Sequence, residues 1–228
     1  MSRLGIFAKY WQAGEVKTRL ATAIGAREAA EIYHAFLTTI LRRFSDLPLS
    51  DLPLNRVVAY SPTDRRAEFA QLVDEPWELR PQVDGDLGSR MRDFFDASFD
   101  AGCDLVVLIG SDSPTLPASR ITEAFNALRK CSVVLGPSED GGYYLVGARQ
   151  QTPDIFDDID WGTPNVMRQT LDRLRGRSAS YQEIAPWYDV DDAASFDRLQ
   201  KELVQCEDDD ALKELRVRIE AAREIDRG

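Results

Sequence analysis

Five consecutive apolar residues, Leu105 to Ile109, end at Gly110 within Asp104-Leu-Val-Val-Leu-Ile-Gly-Ser-Asp-Ser-Pro-Thr-Leu-Pro117. A short unbroken apolar run closed by a turn residue reads as a strand buried on both faces, as in a parallel sheet covered by helices. Asp112 follows, and Pro114 and Pro117 prevent the strand from continuing. A carboxylate is thereby expected just past the C-terminal end of a central parallel strand, the edge where open α/β sheets place ligands. A plain capping role would also put an Asp at this position.

The rest of the chain repeats the alternation of short apolar runs and helical patterns. Strands are expected at Leu4–Ala8, Val57–Tyr60, Trp77–Val83, Ser132–Leu135, in the run after Gly141-Gly142, and at Tyr181–Ile184. Pro81 marks the third as an edge strand. Between Arg27 and Phe44, the residues Ile32, Tyr33, Phe36, Leu37, Ile40, Leu41 and Phe44 recur at three- and four-residue spacing, one apolar helix face. Asp46–Asn55 is a proline-containing loop, and Ser61-Pro62 is expected to cap a helix reaching Val73. Helices are also expected after Asp84–Met91, over Ala118–Lys130, after Trp161-Gly-Thr-Pro164 and from about Ala193. The pattern predicts a three-layer α/β/α sandwich with a mostly parallel mixed sheet. Residues 1–206 form one domain on this reading, and 207–228 a charged C-terminal helix, either solvated or a docking surface.

The 228 residues carry a formal net charge of −11. That disfavours nucleic acid as a partner, since binding it requires a basic surface. A small anionic ligand held by a few local cations is still compatible. No apolar run approaches the roughly 20 residues of a membrane span, and the N-terminus reads as a first strand rather than a signal peptide. Cys103, Cys131 and Cys206 are few and far apart, so a reducing cytoplasm is the default compartment. His34, the sole histidine, lies one step off an apolar helix face and reads as packed or solvated, not catalytic.

Two further stretches carry chemistry. In Gly14-Glu-Val-Lys-Thr-Arg-Leu20, Gly14 allows close backbone approach, while Lys17 and Arg19 place two cations beside the start of a helix. Together they suit a triphosphate, although a solvated basic loop would look the same. In Asp189-Val-Asp191 two carboxylates flank an apolar residue, so on an extended chain they point the same way. With Asp112 they form a candidate oxygen-only site for Mg²⁺, with Mn²⁺ as an alternative. Asp191 or Asp192 could equally cap the following helix. Asp140, before Gly141-Gly142, could orient a substrate or stabilise its turn.

These stretches together resemble the GT-A-type nucleotide-binding transferases, and more closely an uncharacterised transferase family similar to 2-phospho-lactate guanylyltransferase. The resemblance rests on Phe7-Ala-Lys9 with Gly14–Leu20, then Gly85-Asp-Leu-Gly-Ser-Arg-Met91, Gly110–Pro117, Glu139-Asp-Gly-Gly-Tyr-Tyr144, Trp161-Gly-Thr163 and Asp189-Val-Asp-Asp192, in order up to about Phe196. The family usually has prolines in its first loop, where this chain has Tyr10-Trp-Gln-Ala13, so the loop is expected to take its own shape.

The resemblance implies nucleotidyl transfer. Lys17, Arg19 and Asp112 would be catalytic, and Asp112, Asp189 and Asp191 would hold the metal. Gly14, Arg90, Asp140, Gly141, Gly142, Trp161 and Thr163 would bind substrates. The partners would be a nucleoside triphosphate or nucleotide-sugar and a small-molecule acceptor, with a homodimer left open. Two rivals stand beside it. A glycosyltransferase on the same fold commonly carries Asp-X-Asp after the central strand, whereas Gly110-Ser-Asp-Ser113 has one Asp. A nucleotide-binding protein without turnover would lack a metal carboxylate or a phosphate cation.

Overall fold

The computed structural model describes residues 1–47, 53–206 and 208–225. The middle of the Asp46–Asn55 loop and Glu207 lie outside the described residues. The chain runs β1 (Ser2–Lys9), α1 (Thr18–Ile24), α2 (Ala26–Ser45), β2 (Leu54–Ser61), α3 (Arg66–Leu72), β3 (Trp77–Pro81), α4 (Leu87–Asp100), β4 (Leu105–Ile109), α5 (Ala118–Leu128), β5 (Val133–Pro137), β6 (Tyr143–Arg149), α6 (Val166–Gly176), β7 (Tyr181–Glu183), α7 (Ala193–Gln205) and α8 (Asp210–Ile225).

The strands form one seven-stranded sheet in the order β3-β2-β1-β4-β6-β5-β7. Every neighbouring pair is parallel except those made by β6, which runs antiparallel to β4 and β5. This is the expected three-layer sandwich. β4 shows why its sequence is continuously apolar. Leu105, Val107 and Ile109 face a core shared with α2 and α5, while Val106 and Leu108 face a second core with Phe94 and Phe95 of α4. Both faces are dry, so neither tolerates the polar alternation of a half-exposed strand.

The topology also fixes where a ligand can sit. From β1 the chain moves outward through β2 to β3, and then returns to place β4 on the other side of β1. The loops leaving β1 and β4 therefore diverge at the same sheet edge and leave a crevice between them.

Three local expectations are corrected. Ser61 does not cap a helix: it closes β2 opposite Lys9, and its carbonyl accepts from the Tyr10 amide at 2.7 Å. A 3-10 turn at Thr63–Arg65 precedes α3 instead. β3 ends at Pro81, short of Val83, although the Gln82 amide still donates to the Tyr60 carbonyl at 2.8 Å; Pro81, lacking an N–H, sits on the outer edge of the sheet. β5 takes in Gly136 and Pro137, with an irregular register between them. The C-terminal segment forms α8, which packs on the chain itself. Its Leu212, Leu215 and Ile219 are buried with Ile32 and Phe36 of α2 and with Phe196, Leu199 and Leu203 of α7.

Gly5, in the middle of β1, lets α4 sit close to the sheet. A Cβ there would lie 2.3 Å from the Phe94 ring and 2.9 Å from Leu108. Gly5→Ala is expected to lower stability by about 1–3 kcal/mol through overpacking. The urea midpoint measures it, and an unchanged midpoint would show that α4 can retreat freely.

Candidate active site

Asp112 stands where the sequence places it, in the loop after β4 at the crevice. That loop is held from outside: Arg43 of α2 donates to the carbonyls of Pro114 at 2.8 Å and Leu116 at 2.9 Å. The Asp189-Val-Asp191 segment is tied to it by the backbone, the Val190 amide donating to the Asp112 carbonyl at 2.9 Å. Tyr188 and Val190 are buried with α7 and α8, which turns the alternate residues Asp189 and Asp191 towards Asp112. Asp192 then caps α7, accepting from the Ser195 amide at 2.8 Å. The acidic run thus divides its roles as the spacing allows.

Asp189 is cradled by two hydroxyls that sequence reasoning passed over. Ser113 Oγ donates to it at 2.6 Å and Ser138 Oγ at 2.7 Å. Ser113 sits inside a recognised motif and Ser138 directly before another, but a serine beside a proline carries no signal separating it from a turn residue. Burial, followed by the nearby Asp112 charge, pushes the Asp189 carboxyl up to about 6.

Lys17 is the main departure from expectation. The sequence predicts a cation beside a helix start that is open to phosphates. Instead its backbone is left-handed, at φ 48° and ψ 42°, and its side chain turns inward. The ammonium pairs with Asp112 and, at 2.8 Å, with Asp191. The Lys17 side chain is 2% exposed, against 41% and 42% for its two partners. The rings of Tyr33 and Phe36 lie 5.9 and 5.8 Å from its nitrogen. Burial opposes the ammonium's charge, but the two carboxylates outweigh it and raise its pKa. Tyr33, also missed in the sequence, accepts from the Lys9 amide at 3.0 Å and shares a 2.7 Å hydrogen bond with Ser111 Oγ.

The other expected residues separate into two groups. Arg19 is exposed, and no ion pair is seen for it among the described residues. It lines a cavity of ≈ 380 Å³ with Ser138, Asp140, Asp189, Asp191 and Arg198. Arg198, on α7 beyond the resembling motifs, lies 3.7 Å over the Tyr188 ring and pairs with Glu139 and Glu202. Asp140 also accepts from the Gly142 amide at 2.9 Å, so it serves its turn while facing the cavity. Gly14 has φ +83° and open space around it, as a loop admitting a ligand requires.

A second cavity of ≈ 220 Å³ has an apolar floor of Phe7, Met91, Leu108, Tyr143 and Val146. Asp112 borders it, and Asp189 borders both cavities.

Arg90, Gly141, Trp161 and Thr163 act in the framework. Arg90 donates to Gly85, Gln82 and Ser61 and so joins β2, the loop after β3 and α4. A Cβ at Gly141 would lie 2.4 Å from the Pro164 carbonyl, so glycine is needed where the two turns touch. Thr163 donates to the Asp160 carbonyl at 2.8 Å. Trp161 packs edge-on against Tyr143, and neither it nor Thr163 lines the two cavities. The Tyr10-Trp11 segment that replaces the usual prolines is anchored by rings: Trp11 against His34 and Phe69, Tyr10 beneath Arg65. His34 is thereby a packed residue.

The donor set of Asp112, Asp189 and Asp191 is of the hard, oxygen-only kind that suits Mg²⁺ or Mn²⁺. Its arrangement fits such an ion incompletely. The Lys17 ammonium occupies the place between Asp112 and Asp191. Among the described residues no cluster of three or more His, Cys, Asp or Glu side chains is arranged to hold a metal.

The family model described as "Uncharacterized protein conserved in bacteria (DUF2064)" matches residues 49–163, just over half of the chain. The chain belongs to this family. A crystal structure from Desulfovibrio desulfuricans G20, provisionally named a nucleotide-diphospho-sugar transferase, is 31% identical. The match covers 98% of this chain and 97% of that one, with a TM-score of 0.84. A cytidylyltransferase from Leptospira borgpetersenii is 12% identical, with a TM-score of 0.55 over 99% and 95% of the two chains. CMP:2-keto-3-deoxy-manno-octonic acid synthetase complexed with CTP is 11% identical, with a TM-score of 0.54 over 90% and 98%. The last two share the fold. No curated protein matches the chain. Among the described residues no helix is long and apolar enough to cross a membrane.

The raised Asp189 pKa has a definite sign. An unfolded chain's Asp titrates near 4, so between about pH 4 and 6 the folded protein binds the extra proton. Stability therefore falls as pH rises through that window. In metal-free buffer, Asp189→Asn is expected to melt higher than wild type at pH 7.5 and to lose that advantage towards pH 5. A gain that is the same at both pH values would show that the Asp189 charge is not the cause.

Proposed function

We propose that the protein is a nucleotidyltransferase that joins a nucleoside triphosphate to a small phosphorylated acceptor and releases pyrophosphate. The observation that carries this reading is the meeting, at the crevice between β1 and β4, of the Gly14–Arg19 loop with Asp112, Asp189 and Asp191. The nucleotide-transfer activities named for the cytidylyltransferase and the CTP-bound synthetase of the same fold support it.

In this reading the open turn at Gly14 admits the phosphate chain, and the exposed Arg19 guanidinium binds it from the larger cavity. The acceptor lies in the smaller cavity, its phosphate directed to the rim where Asp112 and Asp189 stand and its body against the apolar floor. Asp112, Asp189 and Asp191 would hold Mg²⁺ or Mn²⁺, which would supply positive charge to the phosphate oxygens. An acceptor phosphate oxygen bonds to the α-phosphorus, and the bond from that phosphorus to the bridging oxygen breaks. The electron pair leaves with pyrophosphate. Arg19 is positioned to neutralise the charge that develops on this leaving group. An acceptor phosphate is already anionic near pH 7, so the step requires no general base, consistent with a packed His34.

Glycosyl transfer from a nucleotide-sugar is the second reading, favoured by the name given to the 31% identical relative. The single Asp after β4 argues for the first. Incubation with Mg²⁺, each nucleoside triphosphate and a pool of phosphorylated metabolites is expected to release pyrophosphate. Release of free nucleoside diphosphate from a nucleotide-sugar instead would establish the second reading. Arg19→Ala is expected to weaken triphosphate binding by about 1–3 kcal/mol, the range for a charge-assisted hydrogen bond, and to leave nucleoside binding unchanged. Calorimetry with both ligands checks this, and equal losses would remove Arg19 from the phosphate site.

A further inference from the structure

Lys17 stands in the middle of the acidic cluster that the transferase reading assigns to a divalent cation. Its surroundings distinguish it from a surface lysine that has settled on the nearest acid. The left-handed backbone at the start of α1 sends the side chain inward. The rings of Tyr33 and Phe36 wall the ammonium, and Tyr33 is itself pinned by Ser111 and the Lys9 amide. The carboxylates that the ammonium bridges are by contrast substantially open to solvent. The cation is thus built in from the protein side, and its counter-ions face the crevice.

We infer that Lys17 and the divalent cation are alternative counter-ions for Asp112 and Asp191, so that the nucleotide-free protein keeps its metal position closed. The inference rests on the placement of the metal at Asp112, Asp189 and Asp191, and it adds an order of events to that reading. The ammonium is bonded to Oδ1 of both carboxylates, so a metal bonded to those same two oxygens at about 2.1 Å cannot share the position with it. A dication bound beside it would also meet like charge at close range. A metal seated between these two oxygens therefore requires Lys17 to give up at least one carboxylate. A phosphate chain on the Gly14–Arg19 loop offers the ammonium a new anionic partner, so nucleotide and metal enter together. Lys17 is a positioning residue in the resting protein: it holds two like charges together until the ligands arrive.

The experiment titrates Mn²⁺ alone into nucleotide-free protein and reads free Mn²⁺ by electron paramagnetic resonance. It compares wild type, Asp112→Asn, Lys17→Met, and Lys17→Met combined with Asp112→Asn, with thermal melts of each. Lys17→Met is expected to bind Mn²⁺ roughly 10- to 100-fold more tightly than wild type, the factor for one or two charge-assisted hydrogen bonds removed from competition. The added Asp112→Asn change should abolish the gain. Mn²⁺ should raise the melting temperature of Lys17→Met and leave wild type unmoved. Equal Mn²⁺ affinity in wild type and Lys17→Met would overturn the exclusion while leaving the metal assignment in place. Absence of binding to a folded Lys17→Met would overturn the metal assignment, and the inference with it. Should Lys17→Met fail to fold, Lys17→Gln keeps length and a donor without the charge. Tight Mn²⁺ binding by wild type alone, lost in Asp112→Asn, would also overturn the inference.

Discussion

Three carboxylates gathered at one sheet edge repel one another, and the Lys17 ammonium offsets that repulsion. It joins the loop after β1, the loop after β4 and the segment before α7, which are far apart in the chain. The arrangement around it follows from this pairing. The aromatic side chains of α2 enclose the ammonium, Ser113 and Ser138 supply the hydrogen bonds that Asp189 needs, and the Val190 amide locks the strand-like acidic segment against Asp112. Breaking such a partly buried pair leaves uncompensated charge, although the exposure of both aspartates softens the loss.

The helical layer serves the same arrangement. α8 does not touch the crevice, yet it covers α2 and α7, the two helices that carry Tyr33, Phe36 and the capped start of the segment after Asp191. Arg43 of α2 adds a second tie, from Asp209 at 2.8 Å to the carbonyls of the Asp112 loop. The supports of the site are packed against each other and not only against the sheet.

The sandwich, its order of elements and the edge that carries Asp112 were legible in the sequence, because a five-residue apolar run ended by glycine has few other homes. The pairing of Asp189 with Asp191 was legible for the same kind of reason, since alternation on an extended strand is geometric. The direction of Lys17 was not. Spacing shows that a cation stands near a helix start, but a single left-handed residue decides whether it faces solvent or core, and lysine is not a residue that announces that conformation. The motif at Trp161 and Thr163 predicts pocket residues, whereas neither lines the two cavities and the close approach of Gly141 to Pro164 sets that turn against a neighbouring turn. Ser113, Ser138 and Arg198 acquire meaning only from partners distant in sequence. α8 showed an amphipathic pattern without naming what it would cover.

The hydrogen bond between Val190 and Asp112 joins the middle of the chain to a late part of it. On the ribosome, Lys17 and Asp112 emerge long before Asp191, so the ammonium first meets a single partner. The acidic cluster is complete only when the final segment docks, which brings Asp189 and Asp191 to Asp112 and Lys17.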